Sequence, residues 1–352
     1  MFRAPPACLS PLVSITGGGR GNQIREGRKG QSSLAGTVSP RPPHQGRRRP
    51  GAPYACAVPL PLESVPNFSE GRDAAVVDAL RDALAGPARL LDVHVDPDHH
   101  RSVYTLVGSG EELVESLFSG IRVAVDRIDL RAHVGAHPRI GAADVVPLIP
   151  IRPEDEPIAR DAALALADRL GDELELPVFF YGRLTDDGRE PAFFRRGGPE
   201  ELQRRMDAGE LAPDRGPPRL HPTAGGVVLG VRGPLIAFNV NLRSQDVECA
   251  KAIAGIVRER DGGFPGVRAL GLDLPTAGLV QVSMNVTEWE AAALHEIVER
   301  INAEAASRGV EVAGSELVGL MPAGAAVAAA ESILRIDGFD ARHVLELRLL
   351  ED

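Results

Sequence analysis
The segment RAHVGAHPRIGAADVVP, residues 131–147, gathers His133, His137, Arg139 and Asp144 in a glycine-rich loop ahead of an apolar run. An imidazole on a loop at a strand edge exchanges protons near neutral pH, the task its ordinary pKa suits. Pro138 fixes the backbone just after His137, and Gly135 and Gly141 let the chain approach a ligand closely. A structured loop with a solvated histidine would carry the same residues. A second cluster, HVDPDHHRSVY at 94–104, offers His94, Asp96, Asp98, His99 and His100, which are metal ligands by residue type. Their spacing matches no metal motif, and a solvated or substrate-facing turn between paired strands reads the same way. Asn239, Asn241 and Asn285 form a third group, whose amides could pair donors and acceptors with a planar heterocycle. A hydrated sheet face is the plainer reading there. The sequence has no Gx[ST]xG elbow and no cysteine near either histidine cluster, which disfavours acyl-enzyme chemistry and leaves direct transfer with acid–base help.

Short strands and amphipathic helices must position these groups. A strand through Leu60–Val65 reaches the turn Pro66-Asn67-Phe68-Ser69, and Asp73–Leu84 sets Val76, Val77, Leu80 and Leu84 at helical spacing. Strands follow at Leu90–Val95 and Ser102–Val107. Ser109 opens a capping box with Glu112, and Leu113, Leu117, Ile121, Val125 and Ile128 form one stripe behind it. Val145–Ile151 reads as a continuous apolar strand, Pro157 suits the first turn of a helix running towards Leu170, and Val178–Tyr181 is another strand. A short helix in GGPEELQRRM and a long Gly/Pro loop lead to a second half that opens with Val227–Val231 and Leu235–Leu242. There a helix from Val247 to about Arg260 precedes strands Leu270–Leu274 and Leu279–Val286. The latter strand alternates Val280, Val282, Met284 and Val286 against Gln281, Ser283 and Asn285. Thr287 and Glu290 cap a helix bearing Leu294, Ile297, Val298 and Ile301. A strand near Glu316–Leu320, a helix over Ala325–Leu334 and a strand His343–Leu349 complete the pattern. The order predicts an α+β protein of two ferredoxin-like, split-βαβ sandwiches, each a sheet covered by helices.

Composition narrows the function classes. The chain has 352 residues, 43% hydrophobic and 25% charged, as soluble globular proteins do, with no apolar run long enough for a membrane span. Cys8, Cys56 and Cys249 lie too far apart for a disulfide framework or a CxxC clamp. Residues 1–58 carry nine basic residues against Glu26, a local charge of +8 that leaves −18 on the rest of a chain of net charge −10. That arm is rich in Gly, Pro and Ser and reads as disordered: the product of an upstream start codon or a dispensable tail, a targeting segment, or a nucleic-acid-binding arm through Arg47, Arg48 and Arg49. The acidic remainder opposes docking on nucleic acid. No secretory segment is evident, which makes the cytoplasm the expected location. The Gly17–Gly21 cluster follows no strand and no GxxxxGK[ST] occurs, so neither dinucleotide nor P-loop binding is indicated.

Seven segments in order carry a resemblance: VPNFSEGRD (65–73), DHHRSVYTLVG (98–108), AHPRIGAADVVPLIPI (136–151), FFYG (179–182), LIAFNVNL (235–242), VQVSMNVT (280–287) and GSELVGLMP (314–322). Together they resemble the glutamate formiminotransferases, the transferase portion of formimidoyltransferase-cyclodeaminase, over the chain from about Leu60 onward. The resemblance implies two subdomains, 59–233 and 234–352, with a folate-binding cleft or tunnel between them. It implies transfer of a formimidoyl group from N-formimino-L-glutamate to N5 of tetrahydrofolate, a co-substrate, in histidine degradation and one-carbon metabolism, with no metal. It places the catalytic general acid/base at His137. It places folate contacts at Gly216, Pro217, Pro218, Arg219, Leu220, His221, Pro222, Thr223, Ala224 and Gly225. It also implies a cytoplasmic homodimer acting on small molecules, without nucleic-acid or membrane partners. Both substrates carry carboxylates, and Arg101, Arg139 and Arg219 are the cations expected to meet them. Three positions depart from the family pattern: Ala136 where Glu is common, His100 where Asn is usual, and His94 at an acidic position. A paralogue moving formyl between N-formylglutamate and folate is the nearest rival. A silent folate- or amino-acid-binding protein, and a hydrolase using His94, Asp98 and His99 as metal ligands, are the readings from other classes.

Overall fold
The first strand is broken by Pro66, which cannot donate to a ladder, so one edge-to-edge run appears as β1 (Leu62–Ser64) and β2 (Asn67–Phe68). Both pieces lie between β4 (Arg101–Gly108) and β5 (Ala143–Ile149). The computed structural model describes residues 61–345, apart from 136 and 337, together with residue 347. The basic segment 1–58 and Ala136 therefore lie outside the described residues.

From β2 the chain enters α1 (Ala74–Leu84), whose first N–H groups are capped by the Asp73 carboxylate and whose Val76, Val77, Leu80 and Leu84 are buried. β3 (Arg89–Asp96) then pairs antiparallel with β4. Helix α2 (Gly110–Arg127) begins with the expected Ser109–Glu112 capping box, a feature that contributes about 1 kcal/mol. Its buried stripe holds Leu113, Leu117 and Ile121, with Val125 only half-buried. After β5, helix α3 (Glu156–Glu173) carries Pro157 in its first turn. The chain continues through β6 (Val178–Gly182), the short α4 (Pro191–Arg195), α5 (Gly198–Asp207) and β7 (Val227–Val231). Counted in space the sheet runs β3, β4, β1/β2, β5, β7, β6. Its first four positions are a split βαβ, with β7 and β6 added in parallel beyond β5.

β7 was expected to open the second half but belongs to this first sheet. The reason is visible in its sequence, VVLGV, an unbroken apolar run of the kind a parallel strand buried on both faces requires. Val227, Leu229 and Val231 face the core under α1 to α3, and Val228 packs on the opposite side with Phe179 and Phe194.

The second sheet is a four-stranded antiparallel split βαβ, in the order β11 (Val312–Val318), β8 (Ile236–Leu242), β10 (Leu279–Val286), β9 (Val267–Leu274). Helices α6 (Val247–Val257), α7 (Leu294–Ser307) and α8 (Ala323–Leu334) are its helical elements, and residues of all three are buried in its core. Val280, Val282, Met284 and Val286 join that core, as their alternation predicts. Two expectations fail here. Helix α7 starts at Leu294 rather than at a Thr287 cap, because the Thr287 hydroxyl donates instead to Gly266 O at 2.9 Å. The strand expected at His343–Leu349 is not formed where it is described: Ala341–His343 make a 3-10 turn and residues 345 and 347 are helical. A short apolar run such as HVLELRLL fits either period, and pattern alone does not separate them.

Candidate active site
A cavity of about 940 Å³ opens between the two sheets. Asn67, His94, Asp96, His99, Arg101 and Val145 line it from the first sheet and the turn after β3. Ala237, Asn239, Ala269, Ser283 and Asn285 line it from the second, and Glu190 to Arg196, around α4, close one side. Its size falls within the usual range for small-molecule sites.

The chemistry of the first wall is organised around Asp144, which is 1% exposed at the start of β5. Its Oδ1 accepts the Ile140 N–H at 2.8 Å, and its Oδ2 meets Arg195 and, at 3.3 Å, Arg101 Nη2. Burial alone would raise this carboxyl; the Arg195 and Arg101 guanidiniums, aided by the Ile140 N–H, hold it below the usual carboxylate range. Arg101 at the start of β4 also donates Nε–H to Asn67 Oδ1 at 2.9 Å, so its plane is fixed from two sides. Its Nη1 stands 2.6 Å from His137 Nδ1.

His137 lines the cavity half-buried. Desolvation first, then the charges of Arg101 and Arg195, keep its imidazole well below the ordinary range and therefore neutral at pH 7. Nδ1 lies between the Arg101 donor and the Pro138 carbonyl, 2.8 Å away. Each neighbour favours one tautomer: Arg101 the form with the proton on Nε2, Pro138 the form with a free lone pair there. Nε2 has no hydrogen-bond partner among the described residues.

Arg139 takes a different place from the one its sequence context suggests. It does not line the cavity, and its donors go to the protein: Nε and Nη2 to His137 O, Nη1 to His100 O, and Nη2 to His99 O at 2.8 Å. It clasps the His137 loop to the turn after β3. His133 packs into the same clasp, 2.7 Å from Arg139 Nη1 and stacked on His100 with ring centroids 4.0 Å apart. Burial, then Arg139, pushes His133 down to about 4. The glycines of this loop permit close approach to backbone rather than to a ligand. A Cβ at Gly135 would lie 2.5 Å from His99 O, and one at Gly141 would lie 1.9 Å from Gly226 O.

The histidine-rich turn is divided among separate tasks. Asp98 accepts the Thr276 N–H at 2.9 Å, tying the turn to the β9–β10 connection. His100, at φ +50°, accepts from Gly71 N at 3.2 Å. His94, Asp98 and His99 are thus not assembled as one ligand set; His94 and Asp96 instead meet Glu316 of β11. Of the asparagines, Asn239 and Asn285 line the cavity, whereas Asn241 pairs with Gln281.

None of the residues from Gly216 to Gly225 lines the cavity. That loop supports the segment bearing His137 from behind: Thr223 O accepts from Leu130 N at 2.9 Å, and Ala224 O from Ala142 N at 2.8 Å. His221 Nδ1 caps the loop's own Ala224 N–H, and Arg219 is exposed.

Against known families, residues 61–232 match the formiminotransferase domain, N-terminal subdomain, and residues 237–342 match the formiminotransferase domain. The chain belongs to the formiminotransferase family. A glutamate formimidoyltransferase of Streptococcus pyogenes serotype M1 is 39% identical over 82% of this chain and 98% of its own length. One from Thermoplasma acidophilum is 38% identical over 82% and 97%. The rat formimidoyltransferase-cyclodeaminase is 41% identical over 74% of this chain and 50% of its own length. Within this formiminotransferase, Arg195, which lines the cavity, and Glu316, bonded to the lining Asn239, are the groups that sequence reasoning passed over. Arg195 sits at the end of a five-residue helix with no motif around it, and Glu316 lies on a strand whose sequence gives no sign of what it faces.

Proposed function
We propose that this protein transfers the formimidoyl group of N-formimino-L-glutamate to N5 of tetrahydrofolate, giving 5-formimidoyltetrahydrofolate and L-glutamate, with His137 as general acid/base. The observation that carries the reading is a neutral imidazole, its Nε2 unpartnered, on the wall of a cavity between two sheets. With Nδ1–H held by Pro138 O, His137 takes a proton at Nε2 as the folate nitrogen adds to the amidine carbon. The imidazolium then returns that proton to the departing glutamate nitrogen. Such a shuttle contributes about 10²- to 10⁴-fold in rate. A substrate carboxylate within reach of the Arg101 Nη1 donor competes with Nδ1 for it, favouring the basic tautomer as the site fills. Holding donor and acceptor in one cavity supplies the remaining advantage through effective molarity.

In this reading residues 59–233 and 234–352 are the two subdomains, and the folate contacts come from the cavity walls. The loop Gly216–Gly225 acts through the segment it supports, and Arg139 positions His137 rather than meeting a carboxylate. Tetrahydrofolate is the co-substrate, and the proton shuttle needs no metal. A cytoplasmic homodimer without nucleic-acid or membrane partners belongs to the same reading; among the described residues no helix is long and apolar enough to cross a membrane. An assay of the purified protein with tetrahydrofolate and formiminoglutamate tests it. Turnover is expected, and His137→Ala is expected to lower it by about 10²- to 10⁴-fold while folate still binds. Folate binding by the intact protein without turnover overturns it in favour of a silent binder.

A further inference from the structure
We propose that Asp96 and Glu316 form the seat of the donor's protonated formamidine group, and that this pair selects a formimidoyl over a formyl group. The inference rests on the transfer proposed above and adds how the migrating carbon is recognised. Asp96, at the end of β3, lines the cavity on the wall that holds His99, whose ring centroid lies 6.1 Å from that of His137. Glu316 of β11 does not itself line the cavity but stands opposite the cavity-lining Asn239, and candidate ligand atoms of His94, Asp96 and Glu316 all fall within 4.8 Å of one another. Each carboxylate is aimed by one oxygen. Asp96 Oδ1 accepts the His99 N–H at 2.8 Å, and Glu316 Oε2 accepts from Asn239 Nδ2 at 3.0 Å. The other oxygens remain under-used, Oδ2 at 3.5 Å from His99 Nδ1 and Oε1 at 3.4 Å from His94 Nε2, both beyond a good hydrogen bond. His99, 7% exposed in the same wall, has no partner for Nε2, and a buried polar atom left this way calls for one.

An amidine is a strong base, so the donor group is a planar cation at neutral pH, with N–H donors on both nitrogens and no acceptor. Two carboxylates meeting across a cleft are its complement, as they are for a guanidinium. A formyl amide is neutral and presents a carbonyl oxygen, which would face two negative charges with no donor between them. The transfer keeps this contact throughout. The carbon–nitrogen bond to glutamate breaks, the bond to N5 forms, and the N5 proton passes through His137 to the glutamate nitrogen. The terminal NH₂ and its positive charge are present on both donor and product, so one seat serves the whole reaction.

Steady-state kinetics of the full chain with formiminoglutamate and tetrahydrofolate test this, comparing wild type with E316Q and D96N. Both amides keep the aiming contacts, and unchanged melting temperatures will show that the fold is retained. Removing one charge-assisted contact should raise the donor KM on the order of 10-fold or more and leave the tetrahydrofolate KM within about twofold. Formamidinium should compete with the donor in wild type and lose this effect in E316Q, whereas formamide should not compete at all. An unmoved donor KM in both variants overturns the proposal, as does inhibition by formamide equal to that by formamidinium. So does a divalent cation that co-purifies stoichiometrically and is lost in E316Q, which would make the cluster a metal site. Should wild type turn over no donor, the transfer reading fails on its own. Calorimetric binding of formamidinium, present in wild type and absent in E316Q, still decides the seat.

Discussion
On the first-sheet wall of the cavity, Arg101 and Arg195 close on the buried carboxylate of Asp144, and Arg101 also reaches His137, so ion pairs and hydrogen bonds link each group to the next. On the second-sheet wall Asn239, Ser283 and Asn285 offer uncharged donors and acceptors from strands whose opposite faces are core, with Arg268 among them and Glu316 bonded to Asn239. Both walls rise from the same βαββαβ plan. The difference comes from what is added to it: β7, β6 and α4 extend the first sheet, and α4 brings Arg195 over Asp144. The comparison teaches that proton chemistry is set by a buried ion network on one side, while the other side meets the substrates with amides and separate charges.

The strongest way to break this division is His137→Ala, for which a fall in kcat of about 10²- to 10⁴-fold is expected with folate binding kept. A comparable loss from a second-wall asparagine would show that the chemistry is shared. Asp144→Asn should be nearly as large an effect on stability, because two guanidiniums would be left buried without their counter-charge. A cost of about 3–5 kcal/mol is expected in denaturant unfolding.

Acid sharpens the same contrast. Folding holds His99, His100, His133 and His137 below their ordinary range, chiefly by burial. Between about pH 6.5 and the lower folded values, the unfolded chain therefore binds more protons than the folded one. Stability should be full above that window and decline as pH falls through it, with His133 adding its part down to about 4. A melting temperature unchanged from neutral pH to pH 5 would contradict this. The smallest effect is expected from Asn285→Ala, an exposed wall residue: a rise in KM of about 2- to 10-fold with kcat little changed.

Much of this was legible in the sequence wherever one element decides the outcome. The Ser109–Glu112 box, the alternation of Val280 to Val286 and the placing of His137 ahead of an apolar strand depend on local spacing. What was not legible depends on pairing between distant segments. Arg139 looks like a free cation in HPR, but three carbonyls supplied by two stretches of chain claim its donors. Gly216–Gly225 looks like a ligand loop, but the carbonyls of Thr223 and Ala224 accept from Leu130 and Ala142 instead. Glu316 faces the cavity region only because β11 pairs with β8 so that Glu316 stands opposite Asn239.

The arginines around the cavity outnumber its acids, seven to four, within a chain that carries −18 beyond residue 58. Seen from afar such a body repels anionic metabolites; only at close quarters does the cavity's surplus take over. The screening length is about 8 Å at physiological ionic strength, so salt should weaken the outer repulsion before it reaches the sheltered interior. Capture of a dicarboxylate by this protein should therefore survive added salt better than it does for enzymes that draw their substrates in over long distances.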